Sequence, residues 1–184
     1  MSDGAGHVVL IGLMGVGKTT VGRRVATLLG RTFVDSDLLI EATTGRTVKQ
    51  ILADDGLVAL REVEAAALFD ALALPEPVVV GCAAGVVLDP ANVARIVAAR
   101  QSGDARVVWL VGDPAVLATR TQSRGHRPWL DEDPAGTLAR MHGERAPLYE
   151  QIADLMVDVT PAGQAGDPDL TAQAITDWLA GATA

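Results

Sequence analysis

The sequence predicts an α/β fold of three layers, in which a central parallel β-sheet is covered by helices on both faces. Five short apolar runs of β-type residues are each followed by a helical pattern, and strands that alternate with helices build parallel sheets. The runs are His7–Ile11, Thr32–Val34, Val78–Val80, Arg106–Val111 and Leu155–Val159. Hydrophobic residues make up 49% of the chain but aromatic residues only 3%. This composition fits buried strands and helices whose core is built from Ala, Val, Leu and Ile.

Four Asp-Pro pairs mark predicted helix starts in the second half of the chain. Asp is a preferred N-cap residue, and Pro is a preferred first residue of a helix. The pairs are Asp89-Pro90, Asp113-Pro114, Asp133-Pro134 and Asp167-Pro168. In the first half, the stretch Lys18–Leu29 is amphipathic with helical spacing. A length of 184 residues suits a single domain, 1–184, with one full core.

Charge and cysteine content exclude several classes of protein. The net charge of −8 and a pI near 4.7 argue against a nucleic-acid partner, which would need a basic face. The single cysteine, Cys82, excludes an internal disulfide framework and fits the reducing cytoplasm. The N-terminal apolar run is broken by Gly12 and Gly15, so neither a signal peptide nor a membrane partner is expected. We expect a cytoplasmic monomer.

The segment GLMGVGKT at residues 12–19 matches the phosphate-binding P-loop pattern G-x-x-x-x-G-K-[ST] in full. It follows a predicted strand and precedes a predicted helix, as the pattern requires. Lys18 is expected to reach the β- and γ-phosphates of ATP, and the Thr19 hydroxyl to ligate Mg²⁺. The residues expected at the nucleotide are Gly12, Gly15, Val16, Gly17, Lys18, Thr19 and Thr20.

The P-loop alone does not define a reaction, because GTPases, motor ATPases and kinases share it. The base-reading N-K-x-D sequence of GTPases is absent, and motor ATPases are usually much longer. The segment from Thr121 to Asp133 is polar, contains arginines and lacks periodicity, which predicts a lid loop. These features favour an ATP-dependent kinase that acts on a small acceptor or on a nucleotide.

Two carboxylates, Asp35 and Asp37, lie at the end of the second predicted strand. Alternate residues at a strand end point the same way, so both could reach the Mg²⁺-phosphate region. Alternatively, Asp35 or Ser36 simply caps the next helix. The residues by themselves leave both interpretations open.

With these motifs in place, most of the chain resembles the shikimate kinase family. The matching segments, in order, are the P-loop, Asp35 with Asp37, TGR at 44–46, DG at 55–56, LREVE at 60–64, RPWL at 127–130 and ERAPLY at 144–149. The resemblance implies ATP-dependent phosphorylation of shikimate to 3-phosphoshikimate, in aromatic amino acid biosynthesis. It also implies that Asp35 holds Mg²⁺ through water and that Asp37 orients or deprotonates the acceptor hydroxyl, within an acceptor-binding subregion at about residues 35–61.

The same resemblance assigns roles to four arginines. Arg61 and Arg145 would bind the substrate carboxylate, which the planar guanidinium fork can hold bidentately. Arg127 would close onto the nucleotide phosphates with the lid and exclude water, and Arg120 would lie near the nucleotide. As an alternative, Arg61 and Arg145 are solvated helix residues with pairing at the surface.

The sequence departs from the family after its third strand. The family usually carries three glycines there, against which the substrate lies, whereas this chain has Ala83, Ala84 and Gly85 after Cys82. Ala84 and Gly85 are the expected acceptor contacts. Either the loop has negative φ and the added methyl groups fit, or the acceptor pocket is altered. Two alternatives therefore stay open: a kinase for another small carboxylated polyol, gluconate-like or a cyclitol acid, and a catalytically inactive nucleotide-binding relative.

Overall fold

A computed structural model describes residues 6–122, 133–163 and 166–182. In these residues, five parallel strands form one sheet, and helices cover its faces. The strands are β1 His7–Ile11, β2 Phe33–Asp35, β3 Val79–Gly81, β4 Ala105–Val111 and β5 Leu155–Asp158. The helices are α1 Lys18–Leu29, α2 Ser36–Thr44, α3 Val48–Leu72, α4 Pro90–Gln101, α5 Pro114–Gln122, α6 Pro134–Ile152 and α7 Pro168–Gly181. The predicted fold class, a three-layer P-loop kinase fold with a parallel central sheet, is confirmed.

The order of the strands decides which chain segments meet. The sheet has the order β2-β3-β1-β4-β5. Asp35 at the end of β2 and Leu10 near the end of β1 both pair with Gly81 at the end of β3. The segments that follow these three strands therefore emerge side by side at the carboxyl edge of the sheet, which is where ligands bind in open parallel sheets.

All four Asp-Pro pairs start helices, as predicted. The Asp89 carboxylate accepts a hydrogen bond from the N–H of Ala91 at 2.8 Å, and equivalent bonds are present at the starts of α5, α6 and α7. The bounds of β2 and β3 lie one residue later than predicted, because the pairing of the two strands continues through Asp35 and Gly81. These two residues are polar or small, so an apolar pattern does not include them.

The predicted acceptor-binding subregion, residues 35–61, comprises α2 and the first part of α3. A small apolar cluster of Ile40, Ile51, Leu60 and Ala67 joins the two helices. Within α3, Gly56 has φ 85° and ψ −176°, which interrupts the helix and redirects it.

The lid was predicted from Thr121 to Asp133. Residues 123–132 of this segment lie outside the described residues, and Thr121 and Gln122 are the last residues of α5. No helix in the described parts of the chain is long and apolar enough to cross a membrane.

Helix α1 packs on the sheet through a glycine, and this contact gives a test of the packing. A Cβ at Gly22 would lie 2.3 Å from Cε2 of Phe33. We therefore expect Gly22→Ala to lower the free energy of unfolding by about 1–3 kcal/mol, the usual cost of overpacking a core. Gly143 of α6 is the matched control, because a Cβ there meets nothing within 4 Å. Gly143→Ala should raise the free energy of unfolding by about 0.5–1 kcal/mol. Urea titration measures both, and equal stabilities for the two variants would contradict this packing.

Candidate active site

The P-loop connects β1 to α1, and its conformation depends on glycine. Gly12, Gly15 and Gly17 have φ of 137°, 83° and 95°, values that residues with a side chain rarely adopt. At Gly12 space is limiting as well, since a Cβ would lie 2.3 Å from the carbonyl oxygen of Leu110. The loop therefore keeps its backbone close to β4 and available to a ligand.

Lys18 lies across this loop. Its Nζ donates to the carbonyl oxygens of Gly12 at 2.8 Å and Leu13 at 2.9 Å. Helix α1 begins at Lys18, and Thr20 lies in its first turn. Val16 is buried and anchors the loop to the core. The partial positive charge of the helix N-terminus and the lysine ammonium thus lie at one anion-binding position.

Asp35 contacts the P-loop and also caps α2. Its Oδ2 accepts a hydrogen bond from the Thr19 hydroxyl at 2.8 Å, and its Oδ1 accepts one from the N–H of Asp37 at 3.1 Å. Capping of the next helix by Asp35 is therefore confirmed, and the contact with Thr19 places the same carboxylate beside the P-loop. Asp37 lies in the first turn of α2, so the argument that both carboxylates point the same way along a strand was wrong. The helix start nevertheless places Asp37 beside Asp35.

A cavity of about 490 Å³ extends from the P-loop to α3 and α6; we call it the main cavity. It brings together most of the residues predicted for phosphate, metal and acceptor binding. Those in its wall are Gly15, Gly17, Lys18, Thr19, Asp35, Asp37, Arg61, Ala84, Gly85 and Arg145. The P-loop and the predicted carboxylate-binding arginines thus face the same cavity.

Arg61 is held by an acidic partner in the wall of the main cavity. Its Nη1 donates to Oε2 of Glu64, one turn later on α3, and only 8% of the Glu64 side chain is exposed. Burial raises the pKa of Glu64, an effect that the charge and hydrogen bond of Arg61 partly offset. Glu64 lines the main cavity, yet no site role was predicted for it. The signal available in the sequence was its i,i+3 spacing from Arg61.

Arg145 is 7% exposed, so its interpretation as a solvated helix residue was wrong. Its Nη1 donates to the carbonyl oxygen of Ala84 at 3.0 Å. Its buried Nε has no hydrogen-bond partner in the parts of the chain that the structure describes. A buried donor without a partner is costly, and a ligand oxygen in the main cavity would remove that cost.

Residues 82–85, which follow β3, form the loop where the family usually has glycines; we call this the 82–85 loop. Gly85 has φ −93° and ψ 2°, an ordinary conformation for any residue. A Cβ there would lie 1.9 Å from Nη1 of Arg61, so a side chain at this position would displace the Arg61 guanidinium. Cys82 is buried, and desolvation raises the pKa of its thiol to about 12, which keeps it a small neutral side chain in the wall of the main cavity.

A second, smaller cavity of about 250 Å³ adjoins the other side of the P-loop. Arg120, in the last turn of α5, lies in its wall and donates to the carbonyl oxygens of Gly15 at 3.4 Å and Val159 at 3.3 Å. The arginine thus lies between the P-loop and the end of β5, beside the predicted phosphate site. Arg127, predicted on the lid, lies outside the described residues.

A P-loop that opens into a cavity with two arginines in its wall defines a nucleotide-dependent kinase for a small acidic acceptor. Sequence comparison is more specific, because the shikimate kinase family profile matches residues 14–179. The chain therefore belongs to the shikimate kinase family.

Individual relatives agree with this assignment. The shikimate kinase of Paramagnetospirillum magneticum is 42% identical over 154 residues, which cover 83% of this chain and 75% of the relative. That of Halorhodospira halophila is 40% identical over 155 residues, 84% of each chain. Among solved structures, shikimate kinase from Acinetobacter baumannii in complex with shikimate has a TM-score of 0.85 at 30% identity and covers 96% of this chain and 94% of its own.

The close approach of Gly85 to Arg61 gives a prediction for acceptor binding. In Gly85→Ala the new Cβ must displace the Arg61 guanidinium, so the KM for the acceptor should rise about 10-fold or more while the KM for ATP stays within twofold. The backbone has negative φ at Gly85, so the variant should fold normally. Ala83→Gly is the matched control, because it changes the same loop without adding an atom and should leave Arg61 in place. Steady-state kinetics measure the effect, and an unchanged acceptor KM in Gly85→Ala would contradict the geometry.

Proposed function

We propose that this chain transfers the γ-phosphoryl group of ATP to a hydroxyl of shikimate and releases 3-phosphoshikimate, a step in aromatic amino acid biosynthesis. The observation that carries the proposal is the shared main cavity, in which Lys18 of the P-loop and the arginines Arg61 and Arg145 face the same space. The 42% identity to a shikimate kinase supports this acceptor over other carboxylated alcohols.

For the nucleotide, we infer that the P-loop backbone and Lys18 hold the phosphates. Lys18 would release the carbonyl oxygens of Gly12 and Leu13 and turn to the β- and γ-phosphates, where its charge stabilises the transferring group. Arg120, which lies beside the smaller cavity, would contact the nucleotide on its other side. Arg127 is proposed to close onto the phosphates from the lid.

The donor set at Thr19 and Asp35 fits Mg²⁺. A hydroxyl and a carboxylate oxygen 2.8 Å apart are the hard oxygen ligands that Mg²⁺ prefers, and this ion usually keeps several waters and takes further oxygens from substrate phosphates. Among the described residues no cluster of three or more His, Cys, Asp or Glu is present, which suits such a sparse protein contribution. Mg²⁺ would neutralise phosphate charge, while Thr19 and Asp35 would position it.

At the acceptor, Asp37 is proposed to accept a hydrogen bond from the reacting hydroxyl and to orient or deprotonate it. Arg61 and Arg145 would bind the acceptor carboxylate. Glu64 compensates one of these two positive charges, so a single carboxylate completes the charge balance of this end of the cavity. Transfer between bound phosphate and bound hydroxyl then requires positioning and charge stabilisation more than covalent chemistry.

The proposal also includes a monomer that acts in the reducing cytoplasm. The single cysteine is free and buried, which fits a reducing compartment. Size-exclusion chromatography with light scattering tests the oligomeric state.

A coupled assay for ADP release, run with and without shikimate, tests the proposed reaction. We expect release only with shikimate, and a kcat lowered about 100-fold or more in Lys18→Ala, because the lost charge acts on the transferring phosphoryl group. Lys49→Ala is the matched control, since Lys49 is the only other lysine and is exposed on α3.

Two outcomes would point to the alternatives. ADP release with gluconate or a cyclitol acid but not with shikimate would identify a kinase for another carboxylated polyol. ATP binding without turnover on any acceptor would identify an inactive relative.

A further inference from the structure

Tyr149 is the only tyrosine of the chain, and the reaction proposed above gives it no role. It lies on α6 four residues after Arg145, so the two side chains share a helix face. The residue is fully buried, and its ring centroid lies 5.8 Å from that of Trp109. Burial raises the pKa of Tyr149 to about 12, an effect that the positive charge of Arg145 and its hydrogen bond to the Tyr149 hydroxyl partly offset. The phenol therefore remains a hydrogen-bond donor at neutral pH.

Tyr149 and Arg145 donate to the same acceptor. The Tyr149 hydroxyl lies 2.5 Å from the carbonyl oxygen of Ala84, and Nη1 of Arg145 lies 3.0 Å from it. A carbonyl oxygen has two lone pairs, so these two donors satisfy it. The hydroxyl thereby fixes the carbonyl oxygen against which Arg145 is oriented. It also ties α6 to the 82–85 loop from behind the wall of the main cavity, since Tyr149 is fully buried.

The backbone of α6 is weaker in the same turn. Pro147 lies between Arg145 and Tyr149 and has no N–H to donate to the carbonyl oxygen of Gly143. The helix therefore lacks one backbone hydrogen bond in the turn that carries both donors. The hydrogen bond from the Tyr149 hydroxyl to the Ala84 carbonyl restrains this turn and offsets the missing backbone hydrogen bond.

We propose that Tyr149 is a positioning residue for the acceptor, whose hydroxyl holds the Ala84 carbonyl and so directs the Arg145 guanidinium toward the substrate carboxylate. This inference rests on the proposed function, because it takes shikimate as the ligand. The Nε of Arg145 is buried and has no hydrogen-bond partner among the described residues. The contact of Arg145 with the Ala84 carbonyl would set the direction in which this donor points. The hydroxyl acts through Arg145 and the 82–85 loop and does not itself touch the reacting atoms.

The test compares wild type with Tyr149→Phe, which removes one oxygen and keeps the ring against Trp109. We expect the KM for shikimate, and its Kd measured by calorimetry, to rise about 3- to 10-fold, the range that loss of a single hydrogen bond produces. The kcat and the KM for ATP should stay within twofold, because Lys18, Thr19 and Asp37 are untouched. Protein in which 3-fluorotyrosine replaces tyrosine retains the hydroxyl and should keep the wild-type KM.

Asp154→Ala is the matched control for a purely structural effect. Asp154 also fixes backbone, since its Oδ2 accepts the N–H of Val107 at 2.9 Å and its Oδ1 pairs with Arg100 at 2.6 Å. It lies at the amino edge of the sheet, opposite the main cavity. Both variants should lower the melting temperature, but only Tyr149→Phe should raise the KM and Kd for shikimate.

The possible results separate the inference from the proposed function. Equal Kd values for shikimate in wild type and Tyr149→Phe, or an equal rise of KM in Asp154→Ala, would overturn the positioning role. No ADP release by wild type with shikimate would overturn the proposed function. In that case the calorimetric Kd values still decide the inference, and wild type that does not bind shikimate would overturn it too.

Discussion

Asp35 of β2 and Leu10 of β1 pair with the same residue of β3, Gly81, and the arrangement of the site depends on this register. The P-loop follows β1, Asp35 is the last residue of β2, and the 82–85 loop follows β3. All three therefore lie within a few residues of these pairings. Because the three strands are parallel, the three segments meet at one edge without long connections. Gly81 has no side chain, and a Cβ there would lie 3.0 Å from Cζ of Phe33, so the shared residue is also a small one.

The two arginines of the main cavity differ in how their charges are compensated. Glu64 forms an ion pair with Arg61, whereas the described hydrogen bonds of Arg145 join it to neutral groups, the carbonyl of Ala84 and the hydroxyl of Tyr149. Isolated buried charges are costly unless paired, so an anionic acceptor stabilises this end of the cavity as it binds. At the other end, the P-loop and Lys18 offer positive charge, and Asp35 and Asp37 offer carboxylate oxygens. The two ends thus differ in the charged and polar groups that they present, although one cavity joins them.

Local patterns predicted much of this arrangement, and contacts distant in sequence account for the rest. The P-loop and the four Asp-Pro helix starts follow from short-range geometry and were found from the sequence alone. Tyr149 meets Ala84 across 65 residues of sequence, and no residue pattern indicates such a contact. Asp37 was misplaced on a strand because α2 begins at Ser36, directly after the last residue of β2, with no connecting turn to mark the boundary. The close contact of Gly85 with the Arg61 side chain joins residues that are distant in sequence, so no local pattern indicates it.

We expect different residues of the main cavity to carry acceptor binding and the chemical step, and steady-state kinetics of Asp37→Asn and Arg145→Ala distinguish the two roles. Arg145→Ala loses a partly desolvated carboxylate contact, so its shikimate KM should rise by a factor that corresponds to about 2–4 kcal/mol, with a smaller change in kcat. Asp37→Asn keeps the shape but loses the proton acceptor, so its kcat should fall much more than its KM changes. Equal small effects on both constants in both variants would contradict the account and place the acceptor elsewhere.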